Sequence, residues 1–117
     1  MAFELKELKK YNCIFIKATG DITSDVCEEF EEMVKKAVEI GSKYYIYDLK
    51  DSDFICSEGI GIIAYNIKNT VDLESTIIIL NLSENNKRLF EITNMNELVD
   101  VLKSTKELEE KYNIKVD

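Results

Sequence analysis

Residues 48–63, with the sequence DLKDSDFICSEGIGII, contain a change from a strand pattern to a helix pattern. An apolar strand pattern ends at the start of this stretch, an acidic loop follows, and Ser57 stands where a helical pattern of apolar residues begins. Gly59 and Gly61 fall in the first turns of that helix, although a helical glycine costs about 1 kcal/mol relative to alanine. Two explanations stay open: something approaches this backbone closely, or the helix packs tightly on its own sheet.

Ser57 itself has two compatible interpretations. A serine at a helix start commonly acts as the N-cap, whose hydroxyl accepts a hydrogen bond from a backbone N–H. The same position also favours an anionic group, because the helix dipole and free N–H groups point at it. Phosphorylation there would add a charge of about −1.5 to −2. Local physics alone favours the N-cap interpretation, since capping serines are common.

The pattern on either side of this stretch predicts an α/β fold in one domain over residues 1–117. Apolar residues alternate with charged ones near the N-terminus, and a continuous apolar run at 76–82 predicts a strand buried on both faces. After an opening hairpin, strands and helices alternate, which predicts a mixed, mostly parallel sheet of about five strands with four helices. The strands are predicted at 3–8, 13–18, 44–49, 76–82 and 98–102, and the helices begin at Thr23 or Ser24, Ser57, Ser83 and Ser104.

Two helices carry more detailed predictions. In the helix that Ser83 caps, the helical spacing predicts Leu89, Phe90 and Ile92 as core residues. In the last helix, Glu107 follows Ser104 at the capping-box position.

Composition narrows the classes of function. The formal net charge of −8 makes nucleic acid a poor partner. The chain has no histidine, which excludes Ser-His-Asp and Cys-His nucleophilic catalysis and the usual zinc sites. No signal peptide or apolar run of about 18 residues is present, which predicts a cytoplasmic protein without membrane contact. We therefore expect no enzyme, no catalytic residue, no metal and no cofactor.

The three cysteines are an odd number without CxxC spacing, so neither a disulfide framework nor a zinc cluster is predicted. Cys13 and Cys27 are predicted as core residues. Cys56 lies near a helix N-terminus, where a thiol can become reactive, but its acidic neighbours act in the opposite direction. A redox role for Cys56 is therefore the less favoured interpretation.

Residues 54–61, FICSEGIG, resemble the STAS domains of bacterial anti-sigma factor antagonists, whose segment typically reads F-[MI]-D-S-[ST]-G-L-G. The turn at residues 20–22 is similar to the G-[ED]-[LI] turn of that family. The strand at 77–82 and the sequence KRLF at 87–90 resemble a later strand and helix. The resemblance extends over essentially the whole chain, in the same order of elements.

This resemblance implies a phosphorylation switch. In that family the unphosphorylated domain binds an anti-sigma factor that is also a serine kinase, and the sigma factor is released. The kinase then phosphorylates the serine that matches Ser57, the complex dissociates, and a phosphatase resets the domain. We expect a monomer that does not itself contact nucleic acid. The resemblance implies a partner-binding face formed by Asp21, Thr23, Asp53, Ile55, Cys56, Glu58, Gly59 and Ile60.

Three positions depart from the family pattern. Cys56 replaces the aspartate before the serine, Glu58 replaces the following serine or threonine, and Thr23 stands where the first turn often has aspartate. Glu58 could restore the lost charge or act as a fixed mimic of phosphate. The departures keep open a STAS scaffold that binds its partners constitutively, without phosphorylation. A small-molecule or catalytic domain is a third class, disfavoured by the missing histidine and phosphate-binding loop.

Overall fold

A computed structural model describes residues 2–116 of the chain. Five strands form one sheet whose spatial order follows the chain. The first pair is antiparallel and every later pair is parallel, which confirms the predicted mixed, mostly parallel sheet. The strands are β1 (Phe3–Leu8), β2 (Cys13–Thr19), β3 (Tyr44–Asp51), β4 (Thr76–Leu80) and β5 (Asp100–Leu102).

Four α-helices follow the strands as predicted, and they cover both faces of the sheet. Phe30, Ile63 and Phe90 place the first three helices in one apolar cluster, whereas Leu108 of the last helix belongs to the cluster on the other face. The helices are α1 (Cys27–Ile40), α2 (Ser57–Asn69), α3 (Glu84–Ile92) and α4 (Thr105–Tyr112).

The interior strand β4, which lies between β3 and β5, is buried on both sides. Ile77 and Ile79 join the cluster under α1 to α3, and Ile78 and Leu80 join the cluster under α4. Each such side chain contributes roughly 1.5–3 kcal/mol of burial free energy. The prediction of a doubly buried strand is therefore confirmed.

Several predicted boundaries are wrong. The strand predicted at 76–82 ends at Leu80, and the strands predicted at 13–18 and 44–49 extend to Thr19 and Asp51. The first helix does not begin at Thr23 or Ser24, because a 3-10 turn at Ser24–Val26 precedes α1. The final strand begins at Asp100, because a 3-10 turn at Met95–Glu97 occupies the chain before it.

One predicted core residue is also wrong, because Ile92 is the last residue of α3 and is 71% exposed. Phe90 is fully buried and Leu89 is half-buried against the core, so these two predictions hold. Among residues 2–116, no helix is both long and apolar enough to cross a membrane.

Candidate functional site

The loop at residues 52–56 joins β3 to α2 and is held on one side by the turn that precedes α1. The Ile22 N–H donates to the Phe54 carbonyl at 2.8 Å, and the Cys56 N–H donates to the Ile22 carbonyl at 2.9 Å. These bonds make a short parallel bridge between Ile22 and Ile55, both of which are fully buried. The loop that leads to Ser57 is therefore fixed to the sheet edge.

The start of α3 holds the same loop from the other side. The buried Asn86 amide donates to the Ser52 carbonyl at 3.1 Å and accepts from the Ile55 N–H at 2.8 Å. The Ser83 hydroxyl donates to the Asp53 carbonyl at 2.8 Å. Asn86 satisfies backbone groups that would otherwise be buried without partners, which is costly.

Sequence reasoning missed the role of Asn86. The available signal was its spacing, because Asn86 lies four residues before the core residue Phe90 and so shares its helix face. A polar residue on a core-facing stripe indicates a buried hydrogen-bonding partner. Periodicity alone does not reveal that this partner is the loop at residues 52–56.

Ser57 is the first residue of α2 and is exposed. The N-cap is Cys56, in extended conformation, and no side chain accepts a capping hydrogen bond there. The interpretation of Ser57 as the N-cap is therefore wrong. Its hydroxyl faces solvent at a helix N-terminus whose first N–H groups lack a side-chain cap, a position that favours negative charge.

The two glycines of α2 have different surroundings. A Cβ on Gly59 would lie 2.7 Å from Ile55 Cγ1 and 3.1 Å from Ile22 Cγ2, so this glycine lets the helix pack against the bridge. A Cβ on Gly61 would meet nothing within 4 Å. Tight packing on the protein's own sheet thus explains Gly59, whereas it does not explain Gly61.

The predicted partner-binding face divides into an exposed part and a buried part. Asp21, Thr23, Asp53 and Glu58 are exposed, and Cys56 is half-buried. Within this group the Asp21 carboxylate accepts from the Asp53 N–H at 3.1 Å, which brings two acids together beside the loop.

Three of the predicted contact residues are buried. Ile55 is 0% exposed, Ile60 is 7% exposed and Gly59 is buried against Ile55. This corrects the expectation that these three residues form the partner-binding surface, because buried residues can only support that surface from beneath. The exposed Phe54, which was not predicted, adds an aromatic surface beside Ser57.

The cysteines are distributed over both faces of the sheet. Cys13 and Cys27 are buried core residues, as predicted. Cys27 Sγ lies 3.6 Å from Cys56 Sγ, at the start of α2. Burial, together with smaller contributions from the neighbouring Cys56, Glu58 and Asp25, raises the pKa of the Cys27 thiol to about 12.

The chain has a mixed sheet, a loop fixed by hydrogen bonds on both sides and an exposed helix N-terminus that carries a serine. The family model of the STAS domain matches residues 5–109. The chain belongs to the STAS family. None of the curated protein sequences matches the chain.

Solved structures share the fold of this STAS domain at low sequence identity. An anti-sigma factor antagonist from Mycobacterium paratuberculosis has a TM-score of 0.83 at 12% identity, covering 96% of this chain and 93% of that one. Unphosphorylated SpoIIAA, an anti-sigma factor antagonist, has a TM-score of 0.80 at 17% identity, covering 99% and 100%. The phosphorylated form of SpoIIAA from Bacillus has a TM-score of 0.72 at 16% identity, covering 93% and 98%.

Proposed function

We propose that this chain is a cytoplasmic anti-sigma factor antagonist in which residues 1–117 act as one STAS domain. It binds an anti-sigma factor that is a serine kinase, and the sigma factor is released. Phosphorylation of Ser57 ends the interaction, and a phosphatase restores it. The chain is then a ligand and a substrate, and the kinase performs the chemistry.

One observation carries this proposal: Ser57 is an exposed hydroxyl that caps no helix, at the end of a loop held on both sides. A kinase needs a hydroxyl that it can reach. The domain in turn needs a rigid surface. On a mobile loop an added charge could move away from the partner, whereas on a fixed loop it changes the binding free energy. The family membership and the anti-sigma factor antagonists among the structural relatives support the same role.

The charge around Ser57 supports release after phosphorylation. Asp21, Asp53 and Glu58 are exposed near the start of α2, and Asp21 accepts a hydrogen bond from Asp53. A phosphate would add a charge of about −1.5 to −2 to this acidic surface. Repulsion from an acidic group of the partner, or loss of a contact to the Ser57 hydroxyl, need cost only about 1.4 kcal/mol to weaken binding tenfold.

We place the docking face on the exposed residues of this region. It comprises Asp21, Thr23, Asp53, Phe54 and Glu58 around Ser57, with the half-buried Cys56 at its centre. Phe54 supplies the aromatic anchor that such interfaces use. Ile55, Gly59 and Ile60 form the support beneath it.

A constitutive STAS scaffold is the second candidate. It is favoured by Glu58, which places a permanent negative charge beside Ser57 where the family has a serine or threonine. In this version the domain binds protein partners in a signalling complex, and the state of Ser57 does not control binding.

Phosphopeptide mapping distinguishes these two functions. The chain is incubated with ATP and a lysate of its source cells, beside the variants Ser57→Ala and Ser83→Ala. We expect phosphate on Ser57 in the original chain and in Ser83→Ala, and none in Ser57→Ala. An unmodified Ser57, in a lysate whose kinase modifies another STAS substrate, would refute the switch and favour the scaffold.

A further inference from the structure

Two cysteines that are 29 residues apart in sequence meet beside Ser57. Cys27 starts α1 and is 1% exposed, whereas Cys56 precedes α2 and is half-buried. Their sulfur atoms are 3.6 Å apart. A carboxylate oxygen of Glu58 completes the group, since all three side-chain atoms lie within 4.8 Å of one another.

This separation suits ligands of one metal ion. Zinc binds thiolate sulfur at about 2.3 Å, so two sulfurs of a tetrahedral zinc site lie about 3.8 Å apart. A disulfide instead requires the sulfurs to approach to about 2.05 Å. The observed 3.6 Å, at which one reduced thiol can also donate to the other, is close to the first value and far from the second. Glu58 is exposed, so its carboxylate is free to rotate toward the two sulfurs.

The charge of the surroundings also favours a cation. Glu58 places a carboxylate oxygen within 4.8 Å of both sulfur atoms. Residues 21–32 contain six carboxylates and no lysine or arginine, as the sequence DITSDVCEEFEE shows. A negative environment of this kind attracts a divalent cation and repels anionic thiol reagents such as oxidised glutathione.

We infer that Cys27, Cys56 and Glu58 form a binding site for one thiophilic divalent cation of the zinc type. Each thiol that binds gives its proton to solvent and coordinates as thiolate, and Glu58 coordinates through a carboxylate oxygen. A water molecule or a side chain of a partner completes the coordination. Two of the ligands, Cys56 and Glu58, flank Ser57 directly in the sequence, so a bound cation would lie beside the hydroxyl.

The cobalt(II) ion tests the site, because a cobalt–thiolate bond absorbs light and zinc then displaces cobalt. The reduced, unphosphorylated full chain is titrated with Co²⁺, so the result does not depend on whether Ser57 is a kinase substrate. We expect one Co²⁺ per chain, a sulfur-to-metal charge-transfer band, and loss of the band when Zn²⁺ is added.

Variants assign the ligands. Cys56→Ser, at a half-buried position that tolerates the change, should weaken Co²⁺ binding at least about 100-fold, more than loss of an outer-shell partner typically does. Glu58→Gln keeps both sulfur ligands, so the band should remain. Binding of Co²⁺ should weaken about tenfold, the lower end of what loss of an outer-shell partner costs. Cys13→Ala is the matched control and should bind as the original chain does, because Cys13 lies in the other apolar cluster. Circular dichroism verifies that each variant is folded.

Two results would overturn the inference. One is the absence of a charge-transfer band in the reduced chain, or a band that persists in folded Cys56→Ser. The other is a chain that binds no Co²⁺ but forms a Cys27–Cys56 crosslink with hydrogen peroxide, detected by mass spectrometry. That crosslink would replace the metal site with a redox pair.

Discussion

Helices α2 and α3 both begin beside the loop at residues 52–56, and each has a serine at its start. Ser83 is the N-cap of α3: its hydroxyl accepts from the Asn86 N–H at 3.1 Å and donates to the Asp53 carbonyl at 2.8 Å. Ser57 lies one residue further into its helix, after the N-cap Cys56, and caps nothing. A shift of one residue thus separates a serine that holds the structure from a serine that is available for chemistry.

The same contrast extends to the residues around each serine. At the start of α3 the polar groups of Ser83 and Asn86 bind the loop at residues 52–56. At the start of α2 the packing is apolar, with Gly59 against Ile55. The stability of the Ser57 region therefore comes from its neighbours, which leaves Ser57 itself free of a structural role.

The largest expected effect is at Asn86. Asn86→Ala removes the acceptor of the buried Ile55 N–H and the donor to the Ser52 carbonyl. Each buried group left without a partner costs about 1–3 kcal/mol, so we expect the free energy of unfolding to fall by about 3 kcal/mol. Urea denaturation followed by circular dichroism measures the change. Asn85→Ala is the control, because the exposed Asn85 binds only the Asp53 carboxylate and should cost about 0.5 kcal/mol or less.

If Asn85→Ala and Asn86→Ala lowered the free energy of unfolding equally, the hydrogen bonds of Asn86 would not be what holds the loop. The loop at residues 52–56 would then owe its conformation to the bridge with Ile22 alone.

The two glycines of α2 give the next effect, and the sign should differ between them. Gly59→Ala places a methyl group 2.7 Å from Ile55 Cγ1, and overpacking of this kind should lower stability by about 1–2 kcal/mol despite the better helix propensity. Gly61→Ala has open space and should raise stability by about 0.5–1 kcal/mol. Thermal unfolding of both variants measures the difference. A stabilising Gly59→Ala would show that α2 does not need the glycine to pack.

Gly61→Ala also tests whether a binding partner approaches the start of α2 closely. If Gly61→Ala is stable but binds the anti-sigma factor more weakly, a close approach of the partner explains the glycine that packing does not.

The smallest expected effect separates the two serines directly. Ser83→Ala removes the N-cap of α3 and the bond to Asp53, and should cost about 1 kcal/mol. Ser57→Ala removes no capping bond and should change stability by about 0.5 kcal/mol or less. Denaturant midpoints at constant slope measure both variants. A loss of about 1 kcal/mol in Ser57→Ala would restore the N-cap role that the structure assigns to Cys56.

Local pattern was sufficient for most of the fold. The capping serines Ser83 and Ser104 were predicted correctly, and each accepts a hydrogen bond from a backbone N–H only three residues later. The apolar run of β4 predicted burial on both faces for the same reason. Ile92 was predicted wrongly, since helical spacing shows which residues share a stripe but not where the neighbouring core ends.

The site was predictable only in part. Ser57 could be singled out from its motif and from its place at a helix start. Three features of the site could not be predicted: that Ser57 follows the N-cap instead of forming it, that Asn86 binds the loop, and that Ile55 is buried. Each depends on contacts with residues about 30 positions away.

The order of strands and helices, the STAS pattern around Ser57 and the acidic charge follow from the amino-acid sequence, because these are properties of neighbouring residues or of composition. Three features depend on how the elements pack: Ser57 makes no capping bond whereas Ser83 does, Gly59 is packed whereas Gly61 is not, and Cys27 contacts Cys56. These contacts arise when α1, α2 and α3 pack on one face of the sheet, and no local periodicity encodes the atoms that packing brings together.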